Sequence, residues 1–306
     1  MEALGGSHPN LARLAAAVLK CWPEHCGFLV QRFADADDPT LPISEEMAGL
    51  VLRIAGDDLA DHAAAYRWTC EALLAEDLHF RRKGTYRLST FADAMREVYS
   101  RPEFMGRYLR GLLLSQVLWA NQAAAFHFYV ERFLNRLDSG ADFLEIGPGH
   151  GLLIHFAAAS SRVGAITGWD VSDSSLAMTR HTLDAIGTKR PVTLTTADIL
   201  DPPSVSAQFD AVVMSEVLEH LDQPQAALDA VFRALRPGGF AYFNVPVNSP
   251  APDHIFCWDG PAAVEDMVRL RGFTIVDSAS APTTGYTLER ALRRKVTVNA
   301  LIVASR

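Results

Sequence analysis

Cysteine is scarce: 306 residues contain four, Cys21, Cys26, Cys70 and Cys257. They form no Cys-x-x-Cys pair and no dense framework, which excludes a disulfide scaffold and a zinc ribbon. Cys21, His25 and Cys26 crowd together as in a metal knuckle, but in a helical region the cysteines read instead as free thiols, as in a reducing cytoplasm. A basic excess is also missing. Lys and Arg total 28 against 36 Asp and Glu, a formal net charge of -8, which argues against a general nucleic-acid binder and leaves a small cationic ligand open. No uninterrupted apolar run is long enough to cross a bilayer. The opening residues lack the basic start, apolar run and cleavage site of a signal peptide. Repeats and low-complexity tracts are absent too. What is present is an ordinary globular composition, 49% hydrophobic and 21% charged, long enough for one large domain or two modest ones.

The chain has two textures. Residues 1–137 read as helices: Leu11, Leu14, Ala15, Val18 and Leu19 recur at helical spacing up to Cys21-Trp22-Pro23. Further helices are expected over Glu24–Phe33, from Ser44, over Asp57–Leu74, and from the Ser89-Thr90 cap. Between the last two, His79–Leu88 with Lys83-Gly84 at its tip reads as a hairpin, giving a winged-helix-like outline. Arg81, Arg82 and Lys83 at that tip are read as solvated rather than DNA-binding. An apolar stripe from Arg107 to Leu137, with Trp119, Phe126, Phe128, Tyr129 and Phe133, closes this half as core or dimer contact.

From residue 138 onward strands alternate with helices. Strands are expected at Asp142–Ile146, Ala165–Trp169, Val192–Thr196, Phe209–Met214, Gly239–Val245, Phe273–Ser278 and Val296–Ala304, with helices starting near Gly151, Asp173, Pro224 and Pro261. Such alternation implies an α/β fold, a doubly wound, mostly parallel sheet covered on both faces.

The sharpest local signal is Phe143-Leu-Glu-Ile-Gly-Pro-Gly-His-Gly-Leu152, a buried strand turning through Gly147, Gly149 and Gly151 into an apolar helix. Glycine removes Cβ atoms where the backbone turns sharply and approaches a ligand. A dinucleotide site wants G-x-G-x-x-G and a pyrophosphate at the helix start. Here the glycines occupy alternate positions and Glu145 precedes the turn, where it would repel a pyrophosphate and suit an ammonium. The second strand ends at Asp170, placed to accept from both hydroxyls of a ribose. Asp198, after the third strand, is an N-cap, a turn residue or an acceptor for an adenine amino group.

With Phe209-Asp-Ala-Val-Val-Met-Ser-Glu-Val-Leu-Glu-His-Leu221 and Leu235-Arg-Pro-Gly-Gly-Phe240 added, the stretch Asp142–Val245 resembles the class I S-adenosylmethionine-dependent methyltransferases. The resemblance implies a seven-stranded sheet whose last strand is antiparallel, and S-adenosylmethionine as cofactor. By that resemblance Glu145, Gly147, Gly149 and Gly151 frame the methionine and ribose, and Asp170 binds the ribose hydroxyls. Val171 lies against the adenine, Asp198 and Ile199 read its edge, and Ser215 sits near the methionine end. More weakly, residues 1–137 resemble the lid-forming and dimerising extensions of small-molecule methyltransferases.

Glu216, Glu219 and His220 are spaced i, i+3, i+4, so a helix there would place them on one face at the ligand-binding edge of the sheet. Together with Asp253-His254 they resemble the metal-dependent small-RNA 2′-O-methyltransferases, and the implied ligands of a divalent ion are Glu216, Glu219, His220 and His254. The competing reading has no metal, with Glu216 helping the cofactor pocket and His220 lying near the acceptor. Candidate catalytic groups are His220, His254 and Glu216, with His127 and Tyr286 as lesser ones. Arg290, Arg293, Arg294 and Lys295 read as a solvated helix face. The expectation is methyl transfer to an N, O or C atom of a small molecule in specialised metabolism. The expected partner protein is a second copy, met through the helical domain; membrane and nucleic acid are not expected. The alternatives are a metal-assisted RNA 2′-O-methyltransferase and a non-catalytic regulatory protein that binds the cofactor.

Overall fold

Strand β1, Ala141–Ile146, is buried except at Asp142, as a central parallel strand covered on both faces must be. The computed structural model describes residues 2–201 and 206–306. Beside β1 lie β2 (Val163–Asp170), β3 (Thr193–Thr196), β4 (Phe209–Ser215), β5 (Leu235–Val247), β6 (Thr274–Pro282) and β7 (Val298–Ser305). They form one seven-stranded sheet in the order β3-β2-β1-β4-β5-β7-β6. Strands β1 to β5 pair in parallel. β7 runs against β5: Arg306 near its end exchanges backbone hydrogen bonds with Gly238 and Gly239, whereas Asn299 near its start meets Asn244 late in β5. The expected sheet, with its antiparallel last strand, is therefore present.

Helices α9 (Leu152–Ala159), α10 (Asp173–Ala185), α11 (Pro224–Ala234) and α12 (Pro261–Leu270) fill the gaps between strands. The edge strands β3 and β6 are the more exposed ones, and the Thr-Leu-Thr-Thr sequence of β3 suits that place. Phe143, Tyr242 and Phe243 are buried in the sheet's core, and full burial of such a side chain contributes about 1.5–3 kcal/mol. At the N-terminal ends of β1 and β4, Arg236 pairs with Asp142 at 2.9 Å and Asp210 at 2.5 Å.

The chain divides into two compact units. The one holding the sheet comprises Phe128–Val247, Trp258–Ser280 and Asn299–Arg306. The other comprises Met1–His127, Asn248–Cys257 and Ala281–Val298. It is built from α1 (Glu2–Ser7), α2 (Pro9–Cys21), α3 (Cys26–Arg32), α4 (Leu41–Ala55), α5 (Leu59–Lys83), α6 (Phe91–Ala94), α7 (Pro102–Leu118) and most of α8 (Ala120–Phe128), with α13 (Leu288–Arg294) from the later chain. α5 and α7 pack closely because Gly111 has no side chain; a Cβ there would run into Thr69 and stand 2.8 Å from the Ala65 carbonyl.

Three expectations for this unit are corrected. There is no hairpin over His79–Leu88, hence no winged helix: α5 continues through Lys83 and ends on Gly84, whose left-handed φ of +74° is a helix stop. Arg81, Arg82 and Lys83 occupy its last turn, where cations face the negative end of the helix dipole. Helix α4 starts at Leu41 with Pro42 in its first turn, and Ser44 is instead a buried acceptor for Arg32 at 3.1 Å. The stripe from Arg107 to Leu137 breaks at the extended residue Trp119, whose indole donates to Tyr66 at 2.9 Å. Beyond α8 it continues as a π turn, Tyr129–Phe133. Phe126, Phe128, Tyr129 and Phe133 are buried in the core. Thr90 caps α6 as expected, accepting from Asp93. Among the described residues no helix is long and apolar enough to cross a membrane.

Candidate functional site

The strand order reverses direction between β1 and β4, and in open α/β sheets ligands bind beyond the C-terminal strand ends at such a switch point. Glu145 and Ile146 end β1 there, and Ser215 and Glu216 follow on the β4 side. The turn after β1 is held by backbone bonds, Gly147 to Trp169 at 2.8 Å and Gly151 to Pro148 at 2.7 Å. Gly147 needs its glycine twice: φ is +68°, and a Cβ would stand 2.8 Å from Val217 Cγ2. His150 Nδ1 accepts from Leu152 N–H at the start of α9, and burial lowers its pKa to about 4.

Glu145 is 2% exposed, and its Oε2 has no hydrogen-bond partner. Burial alone holds its carboxyl well above the usual carboxylate range. An uncompensated buried carboxyl beside a turn free of Cβ atoms is what a cationic ligand would neutralise.

At the tip of β2, Asp170 accepts from Ser172 N–H at 2.9 Å and from the Ser175 hydroxyl at 2.6 Å, yet burial still raises its pKa. Val171 beside it is 53% exposed, an open apolar face where a flat ring could rest. Ile199 is buried, whereas Asp198 is exposed and accepts from Leu200 N–H at 2.8 Å, as a turn residue does.

The helix expected over Glu216–His220 is absent. Glu216 has a left-handed φ of +54°, and only Leu218–His220 form one 3₁₀ turn, so the three residues share no helical face. Glu216 Oε1 accepts from Asn299 Nδ2 at 2.6 Å, while buried Glu219 places Oε1 3.7 Å from His220 Nε2. His254 belongs to the helical unit, where its Nδ1 donates to Ser249 O at 2.6 Å. Its neighbour Asp253 accepts from Tyr99 and Tyr108, each at 3.2 Å. His127 and Tyr286 also fall in that unit, the Tyr286 ring beneath Arg290 at 4.7 Å. The other members of the basic run point to solvent.

A family model described as a methyltransferase domain matches residues 144–241, spanning the Gly-rich turn, the Asp170 tip and the β4 segment. The matched segment, residues 144–241, is a methyltransferase domain of the class I S-adenosylmethionine-dependent type. A ubiquinone biosynthesis O-methyltransferase of Pseudomonas fluorescens is 26% identical over 54% of this chain and 78% of its own length. One from Alkalilimnicola ehrlichii is 35% identical over 40% of this chain and 48% of its own. The chain thus spans about three quarters of the first relative and about half of the second. A solved structure from Galdieria sulphuraria, "a putative sarcosine dimethylglycine methyltransferase", superposes with a TM-score of 0.50 at 12% identity over 63% of this chain and 87% of that one; this likeness is one of fold.

S-adenosylmethionine is the methyltransferase's cofactor, and the residues present fit it. Glu145 would offer a buried carboxylate to its ammonium, the Gly147–Gly151 turn would admit close approach, Asp170 at the tip of β2 would meet the ribose, and the exposed Val171 would meet the adenine. Three supporting residues escaped the sequence reading. Thr179 braces the Gly-rich turn from α10. Asn244 and Asn299 sit inside the apolar strands β5 and β7, and a lone amide in such a run was the available signal.

Proposed function

We propose that this methyltransferase moves the methyl group of S-adenosylmethionine to a small-molecule acceptor, with oxygen as the favoured acceptor atom, in specialised biosynthesis in the cytoplasm. The observation that carries the reading is the orphaned, buried Glu145 carboxyl at the end of β1. Oxygen is favoured because the relatives reported above are named O-methyltransferases. Four free cysteines accord with a reducing compartment, and a net charge of -8 disfavours RNA as acceptor.

When bound, the cofactor supplies a carbon activated by sulfonium charge. Transfer to an acceptor oxygen would form an O–C bond as that carbon's bond to sulfur breaks, and would need a base on the protein to take the acceptor's proton. His254 is suited to be that base: a carbonyl can only accept, so the bond to Ser249 O places the ring proton on Nδ1 and the basic lone pair of the neutral ring on Nε2. His220 is the other candidate base. Glu216 adds negative charge beside the cofactor site. Positioning supplies the greater part of the acceleration, on the order of 7–11 kcal/mol in favourable reactions. The helical unit serves as lid, source of acceptor specificity and homodimer contact. Calorimetry with S-adenosylhomocysteine, followed by mass spectrometry of a panel of phenols and carboxylic acids incubated with S-adenosylmethionine, tests the reading. An absence of affinity would overturn it, and a product methylated on nitrogen or carbon would overturn the choice of oxygen.

A divalent ion beside the acceptor is a second reading, favoured by the buried Glu219 carboxylate adjoining His220. Its full ligand set would be Glu216, Glu219, His220 and His254, oxygen and nitrogen donors suited to Mg²⁺, Mn²⁺ or Fe²⁺. Metal analysis of the purified protein and assay after chelation decide it; full activity without metal removes it.

A further inference from the structure

We infer that Asn299, on the last strand, is a positioning residue of the cofactor site: it anchors Glu216 and, through Asn244, turns the Ser215 hydroxyl into a hydrogen-bond donor toward the ligand. The inference rests on the cofactor assignment above.

The backbone at Glu216 supplies the first argument. A non-glycine residue at φ +54° is uncommon, because its Cβ crowds the backbone there. Such a conformation persists only where its surroundings fix it, and two contacts do so. Glu216 N–H donates to Asn244 O at 2.9 Å, and Glu216 Oε1 accepts from Asn299 Nδ2 at 2.6 Å. The residue just past β4 is therefore tied to β5 by its backbone and to β7 by its side chain.

The direction of the hydrogen bonds supplies the second. The Asn299 amide has two protons; one goes to Glu216 and the other to Asn244 Oδ1 at 2.7 Å. Flipping that amide would set its oxygen against both a carboxylate and a carbonyl, so its orientation is dictated. With Oδ1 of Asn244 occupied as an acceptor, its Nδ2 is the atom facing Ser215, and it donates to Oγ at 3.0 Å. Oγ thus gives a lone pair to Asn244 and keeps its own proton for another acceptor. Asn299 is 0% and Asn244 2% exposed, so water does not compete for these bonds.

The chemistry follows from the two ends. Ser215 ends β4 and Glu216 follows it, across the switch point from Glu145. A sulfonium amino acid carries a carboxylate that accepts from an oriented hydroxyl and a cationic centre favoured by a carboxylate held in place. Asn299 touches neither and acts through both.

The test uses the full-length protein and S-adenosylhomocysteine. Asn299→Asp keeps the shape but sets an oxygen against Glu216. Calorimetry at about pH 8 should give affinity weaker by about tenfold, partly recovered near pH 5.5 as the new carboxyl gains a proton and becomes a donor. Ser215→Ala should weaken binding in the parent protein and add little in the Asn299→Asp background. Should Asn299→Asp not fold, Asn299→Ser gives the same readouts apart from the pH recovery. Unchanged affinity in a folded Asn299 variant, or losses that simply add, would overturn this inference while leaving the cofactor assignment intact. No binding by the parent protein would overturn both.

Discussion

Thr179, on α10, donates its hydroxyl proton to the carbonyl of Gly149 at 2.7 Å, sharing it with Ser175 O at 3.0 Å. Its methyl carbon would stand 3.2 Å from a Cβ at Gly151. One fully buried side chain from the helix after β2 thus braces the turn after β1, so the two segments proposed to hold the cofactor are mechanically joined. Thr179→Val keeps the shape and removes the hydroxyl, a loss of about 1 kcal/mol. Affinity for S-adenosylhomocysteine should fall about fivefold with little change in secondary structure, measured by calorimetry and circular dichroism. Equal affinity would mean that the turn holds its shape without α10.

Glu145 makes a prediction with a definite sign. Burial raises its pKa in the folded state well above the ordinary glutamate value of 4.5. A carboxyl raised in this way favours the fold at low pH, and the contribution is lost as pH rises through the folded-state value. Glu145→Gln should therefore raise the Tm of the ligand-free protein. The gain should appear above about pH 4.5 and be absent below it. The same substitution should weaken S-adenosylhomocysteine at least tenfold, because the ammonium loses its charged partner. A variant that is more stable yet binds as tightly would show that Glu145 does not meet the ligand.

Gly147 separates clash from conformation. Gly147→Ala brings a Cβ to 2.8 Å from Val217 Cγ2 and places alanine at φ +68°. Ligand affinity should drop by tenfold or more. Adding Val217→Ala removes the clash but leaves the left-handed penalty of about 1–2 kcal/mol, so calorimetry on the double variant should show partial rescue. Complete rescue would refute the conformational component.

His25 governs acid sensitivity of the helical unit. Its ring stacks on Trp22 at 4.0 Å and on Phe28 at 4.6 Å, and Nε2 shares a 3.0 Å hydrogen bond with Tyr66. Burial lowers its pKa from 6.5 to about 4. A histidine lowered in the fold is protonated first in the unfolded chain, so stability is lost as pH falls from about 6.5 to about 4. His150 carries the same shift in the sheet unit. Of the acid-side fall in Tm from these two groups, His25→Gln should remove roughly half, read from melts across that range. An unaltered acid limb would place the sensitivity elsewhere.

Much of this was legible in one dimension. All seven strands and the four helices between them declare themselves because each buried strand is a short apolar run punctuated by glycine, proline or a capping residue. Glu145 and Asp170 stand out for a related reason: a carboxylate at the end of an apolar strand has no packing role to explain it. Lys83-Gly84 misled because glycine with positive φ serves a hairpin turn and a helix stop equally well, and only the continuation of α5 separates them. Glu216, Glu219 and His220 misled because their spacing presumes a helix that the left-handed Glu216 interrupts.

The local pattern by itself determined the class of fold, the Gly-rich turn after β1 and the carboxylates around it, since these depend on residue size, charge and near-neighbour order. Which distant residues support them was decided in three dimensions. Asn299 reaches Glu216 from 83 positions away and Thr179 reaches Gly149 from 30, contacts that exist only once β7 lies beside β5 and α10 lies against the turn. Hydrogen bonds carry no trace of their partner along the chain, so an amide in an apolar strand announces that it has a partner without naming it.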